Sequence, residues 1–244
     1  MDLTESSRPH ALSTLVATIA APSDAFAAIE ARASWGWALA ITVVLSVAGN
    51  LLMMPAVRHM LEATVPAQIA NDPHLAGLSQ EQIAARTRQA LAFTQAFSNV
   101  FPFLAIVIVP ALVAVESALL FGVRSIVRST ASYAQLFALT THVQFLAVGL
   151  GSFVLGAIVA LRPADTFRSQ SDLLEGIPSL AWLAGGASPK IVAFLASIGP
   201  FPIWATIVLA LGLIAVARFR PPAAWSSAIA LLLLGAGWAA AFAR

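Results

Sequence analysis

The sequence contains no cysteine. Disulfides, thiolate metal sites and a cysteine nucleophile are therefore excluded. Charge is almost as scarce. Asp, Glu, Lys and Arg make up 10% of the 244 residues, where a soluble domain carries about 25%. Lysine is reduced to Lys190, and the remaining basic residues are all Arg. With abundant Ala, that bias suggests a GC-rich bacterial genome. The net charge of +2 comes from 13 basic against 11 acidic residues, which is no nucleic-acid footprint. Too little polar surface remains to coat a globule in water, so a soluble enzyme is excluded.

What is present is apolar. Hydrophobic residues make up 59% of the chain, and the mean hydropathy is +0.87. A spanning helix needs about 20 mostly apolar residues. Five stretches qualify: about 37–57, 100–123, 137–161, 201–217 and 224–242. The fourth is the shortest. Pro200 and Pro202 break its N-terminal side, and Ile191–Ile198 is apolar enough to lengthen it. Trp35 and Trp37, Trp204, Trp225 and Trp238 lie near span ends, at the headgroup level that Trp favours. The fold class is all-α: a polytopic integral membrane helical bundle with five transmembrane helices. It consists of a lead-in, residues 1–34, and one membrane domain, residues 35–244.

The lead-in reads as interfacial or cytoplasmic helices. Ala11–Ala21 has the apolar run and small residues of a secretion signal. Asp2 and Glu5 stand where such a signal is positive, and Ser13, Thr14 and Thr18 interrupt the run. Pro22-Ser23-Asp24 restarts a second helix, with Phe26, Ile29 and Ala33 at helical spacing.

Orientation follows from Arg. The side holding the N-terminus also holds two short loops carrying Arg124, Arg128, Arg218 and Arg220 with no acid, plus Arg8 and Arg32. The opposite side has Arg58, Arg86, Arg88, Arg162, Arg168, Lys190 and Arg244 in longer, acid-containing segments. Short loops dominate such counts, which places the N-terminus inside and the C-terminus outside.

Between the first two spans, Arg58–Asn99 reads as an outer segment with turns at Pro66 and Asn71-Asp72-Pro73. Ser79 and Gln82 fit a capping box that starts a helix near Gln80. Ile83, Ala90, Leu91 and Phe97 share one face of it, and it can run on into the second span. Pro102 and Pro110 are candidate kinks. In Leu161–Lys190, Gly176-Ile177-Pro178 is a turn and Gly185-Gly186 a break.

Motifs for chemistry are few. The Gly-x-Gly-x-x-Ala string at Gly235–Ala240 follows no strand, so it fails as a dinucleotide motif and reads as close helix packing. Ser152, Gly156 and Ala160 read the same way. His10, His59, His74 and His142 form no ligand cluster. His59 with Glu62 and Asp72 with His74 are too few to hold a metal. Ser152 and His142 lie ten residues apart, out of nucleophile–base reach. No catalytic residue, metal or cofactor is assigned.

Glu116 stands apart, a carboxyl well inside the second span. An unpaired charge there costs about 2–3 kcal/mol on insertion scales. With antiparallel spans, Glu116 lies about 10 Å and His142 roughly 7–8 Å from the inner boundary at 1.5 Å per residue. Gln144, Gln135, Thr140 and Thr141 add polar groups on the third span, Asn50 adds one on the first, and Arg124 can reach toward Glu116. Glu116, His142, Gln144 and Asn50 are the candidate intramembrane polar cluster. Two readings stay open: a polar clasp between helices, or a proton- or cation-handling site.

The order of elements carries a resemblance. Pro-Ser-Asp-Ala-Phe at Pro22–Phe26 precedes a helix ending at Trp35. Ser132-Tyr133-Ala134-Gln135-Leu136-Phe137-Ala138 through His142 enters the third span, and Ile203-Trp204 precedes a Leu-Ala-Leu-Gly run. In this the chain resembles the Yip domain family, the Ypt/Rab-interacting five-helix membrane proteins and their bacterial relatives, over residues 11–243. The resemblance implies five spans, a cytoplasmic N-terminus and a non-enzymatic scaffold or adaptor. The bacterial members' Asp before the Phe-x-Ile-Trp-like element is Gly199 here, and the acidic-Tyr-Gly-Pro signature of the trafficking members has no counterpart, so no binding residues carry over. The expected surroundings are the lipid bilayer of a bacterial cytoplasmic membrane. A protein partner or a homo-oligomer stays open, and nucleic acid is not expected. The alternative function is a small transporter or channel for a proton, ion or small solute, using Glu116 and its neighbours.

Overall fold

The computed structural model describes residues 11–75 and 77–243. Arg8, His10, Arg244 and the first ten residues of the lead-in lie outside them. Every regular element among the described residues is helical. The α-helices are α1 (Ala11–Ala20), α2 (Pro22–Ala31), α3 (Gly36–Ala70), α4 (Gln80–Val100), α5 (Ala105–Val127), α6 (Tyr133–Gln144), α7 (Gly151–Ala160), α8 (Gln170–Glu175), α9 (Pro189–Ala196), α10 (Pro200–Ala215) and α11 (Pro221–Phe242).

Four stretches are long and apolar enough to cross a membrane: α3, the run Gln80–Val127, the run Tyr133–Ala160, and α11. A fifth is the pair α9 and α10, bent by 53° at the break before Pro200. The chain is thus an all-α bundle with up to five spans. The apolar segment Ile191–Ile198 lies in α9 and the turn just before that bend.

Local chemistry explains the helix ends. Ser79 accepts the Gln82 backbone N–H while the Gln82 side chain accepts the Ser79 N–H, which completes the predicted capping box. Ser132 and Gln135 do the same for α6. Pro22 opens α2 with Asp24 in its first turn, where the positive end of the helix dipole favours an acid. Two helices end in left-handed residues that are not glycine, Arg128 (φ 57°) and Arg218 (φ 56°). Behind Arg128 the Ser129 N–H returns to the Arg124 carbonyl at 2.9 Å, the longer bond of a Schellman ending.

One expectation fails in the outer segments. The turn at Pro66 does not form: α3 runs unbroken through Pro55 and Pro66 to Ala70. It is held against α4 there. Arg58 donates to the Asn99 side chain at 2.6 Å, and Gln95 donates to Glu62 at 3.5 Å. Of the residues expected on one face of α4, Ile83, Ala90 and Leu91 are half-buried, together with Thr87, Thr94 and the buried Ser98, while Phe97 is 52% exposed. Past Asn99, a 3₁₀ turn at Phe101–Leu104 containing Pro102 links α4 to α5.

The chain packs as two units. Among the described residues the first comprises 11–44, 109–150 and 201–234. Its central helix is α6, where every residue from Ala138 to Gln144 is buried. A helix apolar on all sides is a core helix; this one also carries polar groups inward. α1 and α2 pack on each other and on α6. Phe26 and Leu139 close over Gly212, where a Cβ would meet the Leu139 side chain at 2.3 Å. The ring of Trp35 meets Phe137 edge-on at 5.1 Å.

The second unit comprises, among the described residues, 45–75, 77–108, 151–200 and 235–243. Ala56, Val159 and Phe167 form one of its core clusters, and Ala181, Ala184 and Val192 another. Gly49 lies against Ser152 and Gly156, so α3 and α7 run parallel with the small residues at the seam, as predicted for Ser152 and Gly156. The other small-residue string does not behave this way: a Cβ at Gly235 or Gly237 would meet nothing within 4 Å. Those glycines lie on an open face of α11.

In the same unit Asp172 closes a small cap. Its Oδ2 accepts the Arg168 N–H at 2.9 Å and the Ser169 N–H at 2.8 Å, while Ser169 Oγ accepts the Asp172 N–H. The Arg168 bond first, and those to Ser169, hold the carboxyl below its ordinary value. A depressed value means the stabilisation is present at neutral pH and is lost as pH falls below the ordinary carboxylate range. Removing a cap costs roughly 1 kcal/mol, about fivefold in a local opening equilibrium. Asp172→Ala is therefore expected to speed amide exchange over residues 168–176 about fivefold, and to leave residues 133–150 unchanged. Unaltered exchange in the 168–176 segment would show that the cap does not hold it.

Candidate functional site

The polar groups of the first unit line up along α5 and α6. The helices are antiparallel, as predicted: Glu116 meets Gln144, Ser117 meets Thr140, and the Phe121 ring meets Tyr133 at 5.8 Å. Gln144 Nε2 donates to both carboxylate oxygens of Glu116, at 2.7 and 2.6 Å. Ser117 Oγ also donates to the Val113 carbonyl at 2.6 Å. Serine and threonine thus return to backbone carbonyls of their own helices, the usual resolution where no water is at hand.

His142 is not the partner of Glu116. Depth along the bundle matches, but helical phase does not. Residues 140 and 144 lie four apart on one face of α6, whereas 142 is about 200° around the helix from either at 100° per residue. The His142 Nδ1–H donates to the Ala138 carbonyl of its own helix at 2.8 Å. Nor does Arg124 turn back. It donates to the Ala131 carbonyl and lies over the Phe121 ring at 4.1 Å. Eight residues separate it from Glu116, roughly 12 Å of helix rise. Asn50 belongs to the second unit, where it lines an apolar groove of about 230 Å³ with Met53, Met54, Thr94 and Phe97. Gln135 caps α6.

One atom in this arrangement is not satisfied. Gln144 is buried, and its Oε1 has no hydrogen-bond partner among the described residues. Immediately beyond it the helix widens into a π-helical turn over Phe145–Leu150 before α7 begins. Such turns are rare and recur at functional positions. Nothing in the sequence flagged the turn beyond the glycines at 149 and 151. Gly149 is where the widened helix passes Thr42 of α3: a Cβ would lie 3.2 Å from the Thr42 Cα.

The remaining candidates scatter. His59 Nδ1 faces the Phe167 carbonyl at 3.2 Å, Glu62 accepts from Gln95, and the His74 backbone N–H donates to Asp72 at 2.9 Å. Among the described residues no three His, Asp or Glu side chains come together to hold a metal.

The basic loop residues are organised by contacts that the sequence did not reveal. Ser129 Oγ donates to the Ala217 carbonyl, which ties the loop carrying Arg128 to the end of α10. Arg218 pairs with Glu30 of α2. Glu30 lies near the C-terminal end of α2, two residues before Arg32.

Fold and site together define an all-α bundle of helices long and apolar enough to cross a bilayer, with an internal carboxylate–amide clasp. No protein-family model, no curated protein and no solved structure matches the chain.

Proposed function

We propose that this chain is a non-enzymatic integral membrane scaffold or adaptor of a bacterial cytoplasmic membrane, with its N-terminus inside and its C-terminus outside. The observation that carries this reading is the clasp. The carboxyl of the second span is taken up on both oxygens by a side chain of the same unit, as suits a group that holds helices together. The docking of α1 and α2 on α6 adds support, because it presents Val16 and Ile19 as exposed apolar positions of the lead-in. The order of elements continues to suggest a bacterial-type relative of the Yip family, on that order alone. The short Arg-bearing loops support the orientation.

A second reading, transport of a proton, ion or small solute, draws on a specific observation as well. Gln144 Oε1 is an unpartnered buried acceptor beside a carboxylate and next to a π-helical turn. The five spans give no two equal halves, which weighs against it. Crosslinking of the tagged protein in native membranes, with mass spectrometry of what co-purifies, separates the two. Recovery of a defined protein partner, lost on altering the lead-in, is the expected result. Self-contacts alone would shift the weight to transport, and Glu116→Gln flux assays would follow.

A further inference from the structure

A groove of about 530 Å³ runs between α2 and α10 in the first unit. One wall is a single face of α2, through Ser23, Ala27 and Glu30; the other is a face of α10 and its end, through Leu211, Ala215 and Arg218. Phe26 and Pro22 complete the lining. From Leu211 to Arg218 the wall rises about 10 Å at 1.5 Å per residue. Along that length it changes from wholly apolar to cationic.

Three more arginines flank the elements that line it. Arg32 follows α2, Arg220 follows Arg218, and the Ser129–Ala217 bond fixes the loop of Arg128 alongside. All four guanidinium-bearing residues are exposed. Against them stand Asp24, exposed at the start of α2, and Glu30, paired with Arg218 while both side chains remain well exposed, at 44% and 66%. An exposed pair of this kind contributes little, so Arg218 can exchange a carboxylate for a phosphate without much loss. Guanidinium matches phosphate in a two-pronged geometry, and clustered Arg beside a spanning helix draws anionic headgroups.

We propose that this groove binds an anionic phospholipid, its acyl chain against Phe26, Ala27, Leu211 and Ala215 and its phosphate at Arg218. A free phosphate would use the arginines but not the apolar walls. The site is independent of the scaffold and transport readings, since either protein can carry it.

The test uses the full chain solubilised in mild detergent, with native mass spectrometry after adding phosphatidylglycerol or phosphatidylcholine. One phosphatidylglycerol per chain is expected to be retained, at least fivefold over phosphatidylcholine. Ala27→Trp fills the groove from an exposed position and is expected to abolish that preference while the size-exclusion profile and helical circular dichroism stay unchanged. Arg218→Gln is expected to bring retention down to the phosphatidylcholine level, and Glu30→Gln to keep or raise it. Millimolar inorganic phosphate is expected not to displace the lipid. Equal retention of the two lipids would overturn the proposal, as would a preference that survives both Ala27→Trp and Arg218→Gln. Displacement by inorganic phosphate would assign the arginines to a small anion instead.

Discussion

Gly156→Ala is expected to destabilise the chain by about 3 kcal/mol, at the upper end of overpacking costs, and Gly156→Val to prevent a folded product from accumulating. The Cβ of an alanine at 156 would lie 2.3 Å from the Gly49 carbonyl oxygen and 2.9 Å from the Gly49 Cα. A Cβ at Gly49 would lie 2.2 Å from the Ser152 carbonyl oxygen. These obstacles are backbone, so no side chain can rotate aside, and α3 and α7 would have to separate. Without a hydrophobic force between helices in lipid, such close approach is itself a main source of association. Gly235→Ala and Gly237→Ala serve as controls on an open helix face and should fall within about 0.5 kcal/mol of the parent. Thermal unfolding of the parent and the three alanine variants in one detergent decides the matter. Equal midpoints for Gly156→Ala and Gly237→Ala would mean that the seam does not hold the helices.

That contrast also marks what the residues disclosed. Both glycine patterns look alike as strings, and only one has a backbone against it. Small residues report that close packing is allowed, not that a neighbour is there. The spans themselves were legible because every backbone group in a bilayer must bond within its own helix, which demands long apolar runs with few charges. Helix starts were legible too, since Ser79 and Gln82 meet a local need that no distant contact overrides. The end of α3 was not. Pro66 argues for a break on local grounds, yet α3 runs through it to Ala70, and Arg58 meets Asn99 of α4, 41 residues away. Depth pointed to His142 as the partner of Glu116, but helical phase selects Gln144. Phase becomes decisive only when the facing side of each helix is known, and the spans are apolar on most sides.

The clasp yields the second large effect, and it is a coupling rather than a loss. Gln144→Leu leaves the Glu116 carboxyl at membrane depth without its donor, which is expected to cost about 2–3 kcal/mol. Glu116→Leu leaves the Gln144 amide with neither of its groups bonded, which is expected to cost about 1–3 kcal/mol. Glu116→Leu with Gln144→Leu removes both polar groups together, and a matched apolar pair in place of a buried polar one is often close to neutral. The three variants therefore predict a double-mutant cycle with a coupling of about 2 kcal/mol or more, well above the scatter of independent sites. Additive losses would show that the two side chains do not support each other. The double variant also separates the two functional readings, because it keeps the helices together without any charge between them. A scaffold should recover its partner from membranes as well with the leucine pair as with the parent. If the leucine pair folds normally but loses a solute flux that the parent supports, the carboxyl beside the orphaned Gln144 oxygen acts on that solute, and the scaffold reading fails.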